Sequence, residues 1–188
     1  MSSRVANDGP TWSRRRLMSV LAAAASTSAV VLATTLPARA DDWEEYLRDD
    51  LGFRIEMPGE PMIDMKEEGL DETIVRLIDA QVYDDEDDNL FGLHCTEYRD
   101  PVSAEQEYRL FREGMRLGGL GVTRESALMV NAIPAREFTR ESDGINFVHR
   151  LLVVDRRTIG ISVYGDRDIH DGRDVQRFLR SFMLLGER

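Results

Sequence analysis

Alternation of apolar and polar residues, repeated along the chain with short turns between the runs, is the feature that most constrains the fold. In "FRIEM", Phe53, Ile55 and Met57 occupy one face of an extended segment, and the run stops at Pro58 and Gly59. Such alternation is typical of strands that bury one face. The sequence therefore predicts a sheet that needs a covering layer.

Later runs follow the same pattern. The predicted strands read "PMIDMKEE", "ETIVRLIDAQVY", "LFGLHCTEY", "TRESALMV", "PAREFTRE", "INFVHRLLVV" and "TIGISVY". Asp143-Gly144 predicts a hairpin between "PAREFTRE" and "INFVHRLLVV", and Asp155-Arg156-Arg157 predicts a short turn after it. Short turns between successive strands indicate antiparallel pairing.

Two segments have helical spacing instead. In "AEQEYRLFREGMRL", Tyr108, Phe111 and Met115 form one stripe, preceded by a capping-box pattern at Ser103 and ended by Gly118-Gly119. Near the end of the chain, a second helix beginning near Asp171 has a stripe of Val175, Phe178, Leu179 and Phe182. The predicted class is α+β: a mainly antiparallel sheet of about six to eight strands, flanked by two principal helices.

The N-terminal segment predicts export. Arg14 and Arg15 precede an uncharged stretch from 17 to 36, an order that resembles a twin-arginine signal. Ala38 and Ala40 lie where signal peptidase recognises its substrates, which predicts cleavage after Ala40. A general secretory signal is the alternative route, and a retained membrane anchor is the alternative to cleavage.

Cleavage there would divide the chain into a signal of residues 1–40 and a single domain of residues 41–188. The expected location is periplasmic or extracellular. The twin-arginine translocase and signal peptidase are the expected partners in transit, followed by a protein partner afterwards. We expect no stable membrane insertion after cleavage.

The balance of acidic and basic residues limits the classes of partner that the chain is expected to bind. The whole-chain counts of 24 basic and 35 acidic residues fall to 19 and 34 without the five arginines and one aspartate of residues 1–40, a formal net charge of −15. Such a surface repels phosphate backbones and anionic lipid, so nucleic acid is not an expected partner. A basic protein or a cation is compatible with it.

Four blocks of the chain resemble those of small exported bacterial domains similar to the PsbP-like family. They are "FRIEMPGEP", "AIPAREFTRE", "RLLVVDRRTIGISVYG" and "VQRFLRSFML", and the likeness covers nearly all of residues 44 to 185. The resemblance implies an antiparallel sheet flanked by helices. In the family this fold has binding roles, in an extrinsic photosystem subunit of plants and in a nuclear import factor that binds a small GTPase. Where the family often has Gly-x-Pro-Gly-Arg, this chain has "NAIPAR" at 131–136, without either glycine.

One cluster has metal-ligand chemistry. In "GDRDIHDGRD", Asp166, Asp168, His170 and Asp174 could converge on a metal ion. Aspartates before a helix also act as caps that favour its positive end, and this is the preferred interpretation. No metal site is therefore predicted, and these four residues are kept as candidates.

Other titratable residues point to structure. The acidic run "DDEDDN" lacks the glycine and glutamate of an EF-hand, which predicts a solvated loop. Cys95, the only cysteine, is expected to be buried, and His149 to be hydrogen-bonded within the sheet. The arginines at 109, 112 and 116 are expected to pair with nearby glutamates, although a cationic ridge for an acidic partner is the alternative.

No catalytic or cofactor motif is present in the sequence. It contains no Gly-x-Ser-x-Gly, no His-Glu-x-x-His, no phosphate-binding glycine loop and no Cys-x-x-Cys-His. Neither a cofactor nor a catalytic residue is therefore predicted. The first hypothesis is an exported, non-catalytic binding or assembly protein. The alternative is a metal-dependent hydrolase that uses the carboxylates near His170.

Overall fold

The chain folds into ten strands and two helices over the residues that the structure describes. A computed structural model describes residues 43–67, 70, 72–85, 87–165 and 169–185. The strands are β1 (Glu44–Arg48), β2 (Phe53–Met57), β3 (Met62–Lys66), β4 (Ile74–Asp84), β5 (Asn89–Tyr98), β6 (Arg124–Val130), β7 (Ile133–Arg140), β8 (Asn146–Val154), β9 (Arg157–Gly165) and β10 (Met183–Leu184). The helices are α1 (Ala104–Leu117) and α2 (Arg173–Ser181). The predicted α+β class is confirmed.

Seven of the strands form one antiparallel sheet in the order β3-β4-β5-β9-β8-β7-β6. Two-residue turns connect β6 to β7 and β8 to β9. In the first turn, Asn131 and Ala132 have φ of 50° and 65°. This left-handed conformation favours glycine, which this chain lacks at both positions. Asp155 has φ of 54° in the second turn.

A second, three-stranded sheet has the order β1-β2-β10. Only β2 was predicted from the sequence. β1 reads "EEYLR", in which Tyr46 is the one buried residue, and β10 has two residues. These strands are too polar or too short to show an alternation of apolar and polar residues. The described chain therefore has more strands in total than the six to eight expected.

The main core lies on the face of the large sheet that the small sheet and α2 cover, which we call the inner face. Phe91 of β5 contacts Phe178 of α2 with ring centroids 5.3 Å apart, and Phe53 contacts Phe182 at 5.9 Å. The large sheet contributes Ile78, Ala80, Val82, Phe91, Leu93, Cys95, Val148, Leu152, Ile159, Ile161 and Val163 to this core. Alternation along each strand places these residues on one side.

The opposite, outer face carries α1. Phe111 packs on Phe138 of β7 at 4.7 Å and stacks on the His149 ring of β8 at 4.1 Å. Ser103 occupies the predicted N-cap position but makes no side-chain capping hydrogen bond, and Gly118 is the C-cap. Neither helix of the described chain has the length and apolar content needed to cross a membrane.

Candidate functional site

A polar cleft opens at one end of the inner face, between α2 and strands β7 and β8. Its volume is about 560 Å³, within the range of small-molecule sites. Val148 and Leu179 form an apolar floor, while polar side chains from separate parts of the chain line the walls. The polar lining includes Arg124, Thr139, Glu141, Asn146, His170 and Gln176.

Thr139 is the most informative residue of the cleft. It lies on β7 between Arg124 of β6 and Val148 of β8, and its side chain is 7% exposed. Its Oγ1 atom has no hydrogen-bond partner among the residues that the structure describes. Leaving a buried hydroxyl unpaired costs about 1–3 kcal/mol. Oγ1 is itself closed to solvent, so a ligand recovers this cost only by displacing the side chains that cover it.

His170, shortly before α2, makes contacts with both sides of the cleft. Gln176 Nε2 donates a hydrogen bond to the His170 backbone oxygen at 2.6 Å. His170 Nε2 lies 3.6 Å from Glu141 Oε1 across the cleft. These two contacts link His170 to Gln176 of α2 and to Glu141, the residue that follows β7.

An ion pair supports the base of the cleft. Arg150 of β8 donates from Nε to Glu137 Oε2 at 2.9 Å and from Nη1 to the Leu179 backbone oxygen at 2.8 Å. The guanidinium thus compensates Glu137 and also satisfies a carbonyl near the C-terminal end of α2. The lining also includes the carboxylates of Glu141 and Asp171 and the guanidinium of Arg124.

The sequence-predicted metal candidates are only partly described. Asp166 and Asp168 lie outside the described residues, as do Arg14, Arg15, Ala38 and Ala40 of the export prediction. His170 lines the cleft, whereas Asp174 is in the first turn of α2. Within the described ranges, no three His, Cys, Asp or Glu side chains are grouped to hold a metal ion.

A second polar cluster lies on the outer face and was missed from the sequence. His94 Nδ1 lies 2.7 Å from Asp79 Oδ1, and its Nε2 lies 2.8 Å from Thr96 Oγ1. Because a carboxylate only accepts, Nδ1 carries a proton, and in the neutral imidazole Nε2 accepts from the threonine hydroxyl. Asp79 and His94 are directly opposite on β4 and β5, a pairing that requires the strand register.

This cluster continues to α1. Tyr98 and Thr158 both donate to Glu107 Oε2, at 3.1 and 3.3 Å. Burial and the neighbouring Glu107 raise the pKa of Tyr98 to about 12. The contacts join the helix to β5 and β9, so the cluster has the character of a structural brace. Thr96, which would be the nucleophile of a hydrolytic triad, is only 5% exposed.

His149 does not fulfil its prediction. It is buried as expected, but neither ring nitrogen has a hydrogen-bond partner in the described part of the chain. The ring lies above Gly160, where an added Cβ would be 2.7 Å from His149 Cε1. Burial, with a smaller contribution from His94, lowers the pKa of His149 to about 3. The residue is a neutral imidazole enclosed between Phe111 and the sheet.

The cysteine and two of the helix arginines singled out from the sequence lie in the core and on the surface, respectively. Cys95 is buried on the inner face, and burial raises the pKa of its thiol to about 11. Arg112 pairs with Glu125 at 2.8 Å, and Arg116 pairs with Glu113 at 2.6 Å. The interpretation of a salt-bridged helix surface is therefore confirmed for these two arginines.

Sequence comparisons identify no relative. No protein-family model matches the chain, and a search of curated proteins finds no significant match. Functional interpretation therefore depends on the cleft itself.

Proposed function

We propose that this chain is an exported, non-catalytic binding protein, an accessory or assembly factor, that holds a cationic group of its ligand in the cleft. The observation that carries the proposal is the polar cleft itself, whose lining includes Thr139 with a buried Oγ1 that has no partner among the described residues. Buried polar atoms without partners are rare and indicate a binding role where a ligand can reach them. The basic group could belong to a small amine or to a lysine or arginine of a partner protein.

The charge of the chain supports a cationic ligand. With residues 1–40 removed, the formal net charge is −15, so cations are enriched around the whole surface. At the cleft itself, Glu141 is 67% exposed in its side chain and lies with Asp171 at the mouth. An ammonium or guanidinium group there would have carboxylates at the entrance and the Thr139 oxygen as an internal acceptor.

The proposal also includes export of the chain and its membership of the PsbP-like family. The arginine pair at Arg14 and Arg15 and the small residues Ala38 and Ala40 favour twin-arginine export with cleavage after Ala40. An antiparallel sheet with two helices has the architecture that the PsbP-like resemblance implies. Fold does not identify a ligand, so the cleft rather than the resemblance carries the binding proposal.

The first test uses a matched pair of small probes. We expect N-acetyl-lysine amide to shift the NMR signals of Thr139 and Gln176 in the labelled exported chain. N-acetyl-norleucine amide, which lacks the ammonium group, should cause no such shift. Glu141→Gln should weaken the lysine response, whereas Glu113→Gln on α1 should leave it unchanged.

Two results would count against the proposal. Equal shifts by both probes would mean that the ammonium group is not recognised. Stoichiometric zinc, calcium or iron in the purified exported chain, lost together with activity on treatment with chelator, would instead favour the metal-dependent hydrolase alternative near His170. Native mass spectrometry of the chain from its own cells would distinguish a retained small amine from a bound protein.

A further inference from the structure

The outermost strand β3 lies at an open edge of the large sheet. It pairs with β4 on one side and is the last strand in the sheet order. Four of its five residues are exposed, with Met62 at 63%, Ile63 at 52% and Met65 at 51%. An edge strand presents backbone N–H and C=O groups that can pair with another strand.

On the inner face, β3 continues the apolar core beyond its covered part. Ile63 is opposite Ala80 and Met65 is opposite Ile78 in the β3–β4 register. Ala80 and Ile78 are fully buried, whereas their neighbours on β3 are about half exposed. Among the described residues, nothing covers the end of this apolar row. One more strand with apolar side chains on this face would extend the core.

On the outer face, the same edge is acidic. Asp64 lies directly opposite Asp79, and their side chains are 65% and 42% exposed. Like charges opposite each other on adjacent strands are unfavourable. Lys66 Nζ is 3.4 Å from Asp64, and Asp79 is bonded to His94. A basic side chain next to Asp64 would relieve the remaining repulsion.

The other edge of the sheet, β6, is different. Met129 is 61% exposed there, and Arg124 and Ala127 are also exposed, but the other four residues of the strand are partly or fully buried. Glu125 of β6 pairs with Arg112 of α1 and Arg136 of β7 at 2.8 and 3.3 Å. Its acidic charge is already compensated. This edge lacks the combination of an exposed apolar row and unfavourable acidic pairing.

We infer that β3 is an interaction surface that accepts an extended segment of a partner protein as an eighth strand. The segment alternates apolar residues, which pack beside Ile63 and Met65, with basic residues, which lie beside Asp64. Backbone hydrogen bonds provide affinity in this mode, and alternate side chains provide specificity. A second copy of β3 centred on Asp64 would place two aspartates opposite each other, which disfavours self-pairing. This surface is separate from the cleft and does not depend on it.

The test uses an eight-residue peptide of alternating valine and lysine, with a valine–glutamate peptide as its counterpart. We expect the lysine peptide to slow amide hydrogen exchange at residues 62–66 of the full exported chain, and the glutamate peptide to have no effect. Asp64→Lys should reverse the preference between the peptides, with a change of about two- to five-fold in each affinity.

A matched substitution at the opposite edge is the control. Met129→Lys should leave both peptide affinities unchanged, whereas Met65→Lys should weaken the binding of the lysine peptide. Because all three substituted side chains are exposed, circular dichroism should show a folded chain in each case. Protection at β6 or at the cleft, equal binding of both peptides, or no protection at residues 62–66 would overturn the inference.

Discussion

Two buried threonines, one on each face of the seven-stranded sheet, differ in their hydrogen bonding. On the outer face, Thr96 donates to His94 and belongs to a hydrogen-bonded brace that reaches α1 through Glu107. On the inner face, Thr139 has no partner and lines an open cleft. A satisfied hydroxyl contributes to stability, whereas an unsatisfied one lowers it. The comparison separates a structural polar cluster from the proposed binding site.

His149 refines this comparison. It is as buried as Thr139 and also lacks a partner, but it lies under Phe111 and against Gly160. Thr139, in contrast, borders the cleft. An unpaired polar group therefore indicates binding here only when a cavity reaches it. For His149 we expect a cost in stability and no effect on ligand binding.

The largest effect is expected from removing the inner cover of the sheet. Phe178 is fully buried, so Phe178→Ala should lower the free energy of unfolding by about 3–5 kcal/mol. Phe111 of α1 is only partly buried, so Phe111→Ala should cost about half as much or less. Urea denaturation of both variants measures the difference. Equal losses would mean that the two faces contribute alike to stability.

The pH dependence of the free energy of unfolding tests the lowered pKa of the enclosed His149 imidazole. The pKa of His149 is about 3 in the folded chain, below the ordinary 6.5 that applies on unfolding. Between these values the unfolded state binds the extra proton, so stability falls as pH decreases, by up to about 1.4 kcal/mol per pH unit. His149→Leu should flatten the curve between pH 6.5 and 3.

Asp50 provides the control for this experiment. Its hydrogen bond with Arg48 lowers the pKa of the carboxyl to about 2, from 3.8. The stabilisation from Asp50 is therefore present above pH 3.8 and is lost as pH falls towards 2. Asp50→Asn should change the denaturation curve in that lower range and leave the slope from pH 6.5 to 4 intact. If His149→Leu leaves the same slope, His149 is not its source.

A smaller loss is expected from the outer brace. Thr96→Val keeps the side-chain shape but removes the hydroxyl that donates to His94 Nε2 at 2.8 Å. The free energy of unfolding should fall by about 1 kcal/mol. Probe binding in the cleft should be unchanged, because Thr96 lies on the other face. Weaker binding in this variant would indicate that the brace shapes the cleft.

Much of the sheet could be predicted from the sequence because its cause is local. A half-buried strand requires alternation, and "FRIEM" and "INFVHRLLVV" show it directly. α1 was predicted at Ala104–Leu117 from its apolar stripe and the flanking Ser103 and Gly118. β1 was missed because "EEYLR" has no alternating apolar row. The strand pairs with β2, and only its Tyr46 is buried.

The site was not predictable in the same way, because its residues meet only through topology. Thr139 and Glu141 lie on or next to β7, while His170 and Gln176 come about 30 residues later and return over the sheet with α2. The signal available in the sequence was a polar residue at each of the alternate positions 137, 139 and 141. That pattern predicts that these three side chains lie on the same face of the sheet. It does not predict that the Thr139 hydroxyl lacks a hydrogen-bond partner.

The most direct test of the central claim is Thr139→Val, measured for both stability and binding. The substitution keeps the shape and removes the unpaired buried hydroxyl, so the melting temperature should rise by about 2–4 °C. The NMR response of the cleft to N-acetyl-lysine amide should be lost at the same time. A lower melting temperature with unchanged binding would contradict the account, because the hydroxyl would then be a structural group and not part of a ligand site.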